Sequence, residues 1–193
     1  VAGRQLVVVD PLNGQETVWA DNLPEGYFQV APTEDWLLYS LTQEGPKERK
    51  EIYEVIEPDD RQPGWRNRSS LAKYDLKSGL MQPLTFGHHN AWGLDISADG
   101  RYVLMMTSRS RLTQRPTTLS SLYLLDVNTL KAETLVAEDG FLGGASFSPD
   151  GTQILLTGSP EALDGIGLNL PEGLIPNQYD YQMYLMNLAD KKI

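Results

Sequence analysis

The chain has 193 residues, 40% of them apolar, with 16 basic against 26 acidic side chains for a net charge of −10, and no cysteine. That length and apolar content suffice for a substantial core, and the acidic balance argues against nucleic acid or an anionic membrane as partner. Without Cys there is no disulfide, thiol nucleophile or cysteine metal site, and no stretch approaches the roughly 18–20 apolar residues of a membrane-spanning helix.

In chain order, the sequence opens on an apolar run, Leu6-Val-Val-Val-Asp10-Pro, followed by a tight turn at Asn13-Gly14. Three hairpin phrases then recur: Val30-Ala-Pro-Thr-Glu-Asp35-Trp-Leu-Leu-Tyr-Ser40, Asp95-Ile-Ser-Ala-Asp99-Gly-Arg-Tyr-Val-Leu-Met105 and Ser146-Phe-Ser-Pro-Asp150-Gly-Thr-Gln-Ile-Leu-Leu156. Aligned on Asp35, Asp99 and Asp150, each predicts a short strand, a tight turn and an apolar strand. A second phrase follows each hairpin: Leu71-Ala-Lys-Tyr-Asp75-Leu, Leu122-Tyr-Leu-Leu-Asp126-Val and Met183-Tyr-Leu-Met-Asn187-Leu. Further tight turns at Ser78-Gly79 and Asn128-Thr129 lead into a fourth strand, since Gly and Asn accept positive φ cheaply.

A unit of four short strands recurring at a few tens of residues predicts an all-β fold, a partial β-propeller with strands A to D in each blade. The frame is a single domain over residues 1–193. Residues 1–22 supply strands C and D of one blade, 28–86 and 91–137 form whole blades, and 144–193 form an incomplete one. Because a ring needs roughly 4 to 8 blades, about three blade equivalents predict an arc and a fragment of a larger ring. Its exposed strand edges favour a dimer. The B strands, such as Tyr102-Val-Leu-Met-Met106, are continuous apolar runs, as expected between neighbouring blades.

Asp35 to Asp99 is 64 residues and Asp99 to Asp150 is 51, against roughly 40–45 for a plain blade. The excess lies between strands B and C, at 42–70, 109–120 and 159–181, so the extra length shares one rim of the disc. Long loops on a rigid scaffold are where binding usually resides. In the first insertion Pro46 suits a helix start and Pro58 a stop, and Ile52, Val55 and Ile56 fall on one face, predicting a short amphipathic helix. Behind it Asp59, Asp60, Arg61, Trp65, Arg66 and Arg68 gather mixed charge around one large aromatic. They read either as a solvated loop pinned by its Trp and internal ion pairs, or as a surface that grips a peptide or another domain.

His88 and His89, the two histidines of the chain, sit in a D-to-A connection on the same rim. A metal site would need further ligands, and consecutive side chains in extended backbone point apart, so the pair reads as loop hydrogen bonding or blade packing and no metal or cofactor is expected. Gly144-Ala-Ser146-Phe-Ser148 lacks the second Gly of a nucleophile elbow and occupies an A strand, so no catalytic residue is assigned. The third insertion, punctuated by Gly and Pro, predicts an ordered loop without a persistent helix or strand.

The phrases Phe147-Ser-Pro-Asp-Gly151 and Ile96-Ser-Ala-Asp-Gly100, each followed by a Leu-Tyr-Leu-Leu-Asp-like strand, resemble the WD40-like repeats of the TolB type. Asp60-Arg-Gln-Pro-Gly-Trp65-Arg-Asn-Arg-Ser69, Glu44-Gly-Pro-Lys47 and Gly158-Ser-Pro-Glu161 resemble the N-terminal propeller of bacterial prolyl oligopeptidase family serine peptidases, the dipeptidyl peptidase IV-like group. The resemblance implies a non-catalytic propeller that gates and orients peptide substrates and docks an α/β-hydrolase domain of the same parent protein. It also implies a periplasmic or extracytoplasmic location, and a chain inactive by itself. The paired glutamates that hold the substrate amine in true dipeptidyl peptidase IV have no counterpart here, as the chain contains no Glu-Glu. A TolB-like protein-binding module without peptidase activity is the alternative, and a polysaccharide lyase with His-bound metal a weaker third.

Overall fold

The computed structural model describes residues 3–46, 54–57, 60, 64–169, 171, 173 and 180–193, and these form four antiparallel sheets in which strands pair in sequence order. The first sheet joins β1 (Arg4–Val9) and β2 (Glu16–Leu23), and the second runs β3 (Tyr27–Val30), β4 (Trp36–Gln43), β5 (Arg68–Asp75), β6 (Met81–Pro83). The third runs β7 (Asn90–Ile96), β8 (Tyr102–Ser110), β9 (Thr118–Asp126), β10 (Lys131–Asp139), and the fourth β11 (Leu142–Phe147), β12 (Gln153–Gly158), β13 (Gln182–Asn187). This is the expected partial β-propeller, its described sheets holding two, four, four and three strands.

The turns repeat atom for atom, and they correct the sequence alignment of the first copy. Gly100 N donates to Ser97 O at 2.8 Å and Gly151 N to Ser148 O at 2.9 Å, and in the first copy the equivalent bond is Glu34 N to Ala31 O at 2.8 Å. Leu76, Val127 and Leu188 each donate from N–H to the residue after the turn, Asp35, Arg101 and Thr152 respectively. Asp35 is therefore equivalent to Arg101, and the place of Asp99 belongs to Thr33. The misalignment has a chemical cause: Thr33 Oγ1 donates to Asp35 Oδ1, whereas Ser97 Oγ and Ser148 Oγ donate to Asp99 and Asp150. The hydroxyl–carboxylate pair is kept but moved two residues along.

Two of these three turns use Gly at the left-handed position, with φ of 68° at Gly100 and 69° at Gly151, while Glu34 is forced to φ 60°. The C-to-D turns behave alike. The N–H of Gly14, Gly79, Leu130 and Lys191 donates at 2.8 Å to the carbonyl of Asp10, Asp75, Asp126 and Asn187.

The core sits between the sheets, and the B strands show why. On β4, Leu37 and Tyr39 pack toward the first blade with Leu23 and Tyr74, while Trp36 and Leu38 pack toward the third sheet. On β8, Val103 and Met105 meet that same cluster, and Leu104 and Met106 turn to the fourth sheet, where Ile154, Leu156 and Tyr184 join them. Alternation along a strand thus feeds two cores at once. Blades also exchange hydrogen bonds: Asn90 Oδ1 accepts from Ser69 N at 2.8 Å, and Asp95 Oδ2 accepts from Phe147 N at 2.8 Å. Gly93 lets β7 close on its neighbour, because a Cβ there would lie 2.6 Å from Leu38 Cδ2.

Most of the helix expected in the first insertion falls on residues outside those described, and residues 54–56 at its end are not helical. The second insertion is largely a longer hairpin, paired out to Ser110 and Thr118. The third contains a single turn, α1 (Ala162–Gly165), with Leu163 and Asp164 at left-handed φ of 57° and 59°, so no regular helix persists among its described residues. Its hold is tertiary: Ala162 is buried, and Leu163 N donates to Asp139 Oδ2 at 2.7 Å.

Two predictions arise from the turns. A left-handed non-Gly residue costs about 1–2 kcal/mol and Gly about 0.5–1 in chain entropy, so Glu34→Gly should raise stability by several tenths to about 1 kcal/mol in denaturant titration, Glu34 being exposed. The second concerns acid. Hydrogen bonds from Ser78, Ser97 and Ser148 and the Arg101 guanidinium hold the carboxyls of Asp75, Asp99, Asp150 and Asp126 below the ordinary range. Their folded values lie below the unfolded one, so their contribution is complete above about pH 4 and fades as pH falls through the folded values. The melting temperature should be level between pH 5 and 7 and drop below about pH 4, with a shallower drop in Asp126→Asn.

Candidate functional site

The rim carrying the B-to-C and D-to-A connections holds a groove of about 920 Å³ between the second and third sheets. Among the described residues it is lined by Trp65, Arg66, Arg68, His88, His89 and Arg109, with Pro46, Ile56 and Leu112 adding apolar surface. The Asn90–Ser69 hydrogen bond brings these segments together, since it ties the start of β7, directly after the histidines, to the start of β5, directly after Arg68.

Within the first insertion one ion pair sets the geometry. Asp60 accepts from Arg66 Nε at 2.7 Å and Nη2 at 2.6 Å, and its Oδ2 also accepts from Ile56 N at 3.1 Å. Its side chain is only 1% exposed. The Arg66 hydrogen bond holds the carboxyl below its usual range against the opposing effect of burial. Arg66 Nη2 reaches on to Glu54 O at 2.7 Å, so one guanidinium fastens both limbs of the loop. At the base Gly45 N donates to Asn67 Oδ1 at 2.9 Å, and a Cβ on Gly45 would overlap the backbone of Arg66.

Arg68 is held differently. Its Nη1 donates to the carbonyls of Trp65 and Asn67, and its guanidinium lies 5.3 Å from the Trp65 ring centroid. Across the groove Arg109 forms a bidentate pair with Glu138, Nε to Oε1 at 2.6 Å and Nη2 to Oε2 at 2.8 Å, which holds the Glu138 carboxyl low. His88 and His89 occupy an exposed bend between β6 and β7.

The structure thus brings together five of the eight residues singled out in the sequence: Trp65, Arg66, Arg68, His88 and His89. Asp60 is turned inward as the staple of the loop. Asp59 and Arg61 lie outside the described residues. Arg109 was missed, although its position at the end of a lengthened B strand, on the rim of the insertions, was the available signal. Among the described residues no group of three or more His, Cys, Asp or Glu is placed to hold a metal ion. The arrangement can supply hydrogen-bond donors, positive charge and an aromatic wall.

A second cavity, of about 750 Å³, lies at the opposite rim among the A-to-B turns of the third and fourth sheets. Its carboxylates are engaged in their own turns, Asp99 with Ser97 and Asp150 with Ser148 and Thr152. Lys191 there pairs with Glu133.

No protein-family model matches the chain, and no curated protein matches it. Solved structures do. TolB from Acinetobacter baumannii is 17% identical with a TM-score of 0.54, over 99% of this chain and 37% of that one. The tricorn protease is 12% identical with a TM-score of 0.55, over 97% and 16%. A prolyl endopeptidase is 13% identical with a TM-score of 0.54, over 99% and 25%. The chain spans well under half the length of each. At these identities the likeness concerns the fold, and the chain is a partial β-propeller of the kind shared by TolB and the propellers of these peptidases.

Proposed function

We propose that this propeller is the non-catalytic part of a prolyl oligopeptidase family serine peptidase of the dipeptidyl peptidase IV-like kind, gating and orienting peptide substrates beside an α/β-hydrolase domain of the same parent protein. One observation carries the reading. The first two long connections meet on one rim, and there Trp65, Arg68 and the histidine bend converge on a single groove. Trp and Arg give large contact energy for little ordering, and loops on a rigid scaffold are the usual site of recognition. Peptide would lie along the groove, its amide groups meeting donors on both walls. The parent protein would work in the periplasm or outside the cell, as the resemblance implies, and no described helix is long and apolar enough to cross a membrane.

The coding sequence beyond Ile193 tests the enzymatic half: further blades and then Gly-x-Ser-x-Gly, with Asp and His downstream, are expected. Further blades followed by a stop would favour the TolB-like binding module. The groove itself is tested with fluorescein-labelled, end-blocked pentapeptides of mixed sequence. Trp65→Ala should weaken binding about tenfold or more, as for a central aromatic anchor. Affinity unchanged in Trp65→Ala would remove the groove from peptide binding.

A further inference from the structure

The groove gathers three arginines on an acidic chain, and they are not equally engaged. Arg66 is bound to buried Asp60, and Arg109 has a bidentate partner in Glu138. Among the described residues Arg68 has no carboxylate partner: its Nη1 serves two backbone carbonyls, and the remaining edge of the guanidinium meets no acceptor among them. Stacking on Trp65 keeps that planar fork oriented. Glu57 is the single acidic side chain among the described lining residues.

An oriented guanidinium with a vacant edge is matched by a carboxylate, which accepts two parallel N–H bonds. The surroundings say what carries that carboxylate. Ile56 and Leu112, 64% and 54% exposed, leave apolar surface beside the charge, which suits a peptide better than a small inorganic anion. Beyond Arg68, the exposed imidazoles of His88 and His89 offer hydrogen-bonding groups from a separate segment, so polar anchors are spread along the groove. One terminal carboxylate needs a single anchor. An extended segment with acidic side chains uses several. We infer that the groove selects acidic peptide segments, an Asp or Glu side chain meeting the free edge of Arg68 while a neighbouring apolar side chain lies on Trp65, Ile56 and Leu112. This rests on the peptide-binding reading above and names its substrate class.

The test is fluorescence anisotropy on the 193-residue chain with three labelled peptides. These are end-blocked Ala-Glu-Leu-Glu-Ala, its isostere Ala-Gln-Leu-Gln-Ala, and the Gln peptide with a free C-terminus. The Glu peptide should bind at least tenfold more tightly than the blocked Gln peptide, about 1.4 kcal/mol. Arg68→Gln should bring the Glu peptide down to the level of the Gln peptide and leave the latter unchanged. Because Arg68 also holds loop carbonyls, the double variant His88→Ala, His89→Ala, exposed and outside the sheets, provides an independent check and should reduce the preference severalfold. Equal binding of Glu and Gln peptides would overturn the inference and leave peptide binding intact. Stronger binding of the free C-terminus than of the Glu peptide would overturn it in favour of end capture. A preference that persists in both variants would move the site elsewhere, and no binding of any peptide would remove the underlying reading too.

Discussion

Packing of the B strands β4 and β8 on two neighbours at once is the constraint on which the rest depends. A strand such as Tyr102–Met106 has no polar side to offer water, so it is stable only when both faces are covered. Val103 and Met105 are covered by one sheet, Leu104 and Met106 by the next. Burying such a side chain contributes about 1.5–3 kcal/mol, and each contribution here exists only between sheets. Stacking in sequence order, with the A-to-B turns on one rim and the B-to-C loops on the other, follows from that requirement. The last described sheet shows the same rule from its open side: Met183 and Leu185 of β13 remain exposed while Tyr184 and Met186, alternating with them, are buried.

Because the sheets are fixed by burial, the two rims can differ chemically. At one rim short turns repeat, and their carboxylates are spent on the turn itself, with Ser or Thr hydroxyls and backbone N–H groups as donors. Little charge remains there for a ligand. At the other rim the insertions carry charge that the sheets do not need. A groove forms where two blades meet because a hydrogen bond between Asn90 and Ser69 joins their edges at that level.

The Asp60–Arg66 pair is what makes a defined surface of the first insertion. A charge buried without a partner is costly, so Asp60 keeps Arg66 in place, and Arg66 in turn holds Glu54 O. Trp65 and Arg68 flank this clasp and inherit its position. Two nearby arginines divide the labour: Arg66 is used up inside the loop, while Arg68 lines the groove with no carboxylate partner among the described residues.

Much of the fold was legible because strand, turn and burial are local in sequence. Alternating or continuous apolar runs marked the strands, Asp and Gly marked the turns, and repetition of both named the architecture. The register of the first hairpin was not legible, since Thr33 and Asp35 exchange roles in a bond that any alignment on Asp misplaces. The α1 turn was hidden for a related reason, as Leu163 and Asp164 sit at positive φ and Leu163 N is held by Asp139, which is distant in sequence. The site divides in the same way. Sequence alone determined which rim bears the long loops and which residues on it are aromatic or charged, because composition and spacing are properties of the chain. Tertiary structure decided that Asp60 faces inward, that Arg109 lines the same groove as Arg68, and which of these arginines meet carboxylates among the described residues, because ion pairing depends on how a loop or a sheet brings separated residues together, which no local pattern encodes.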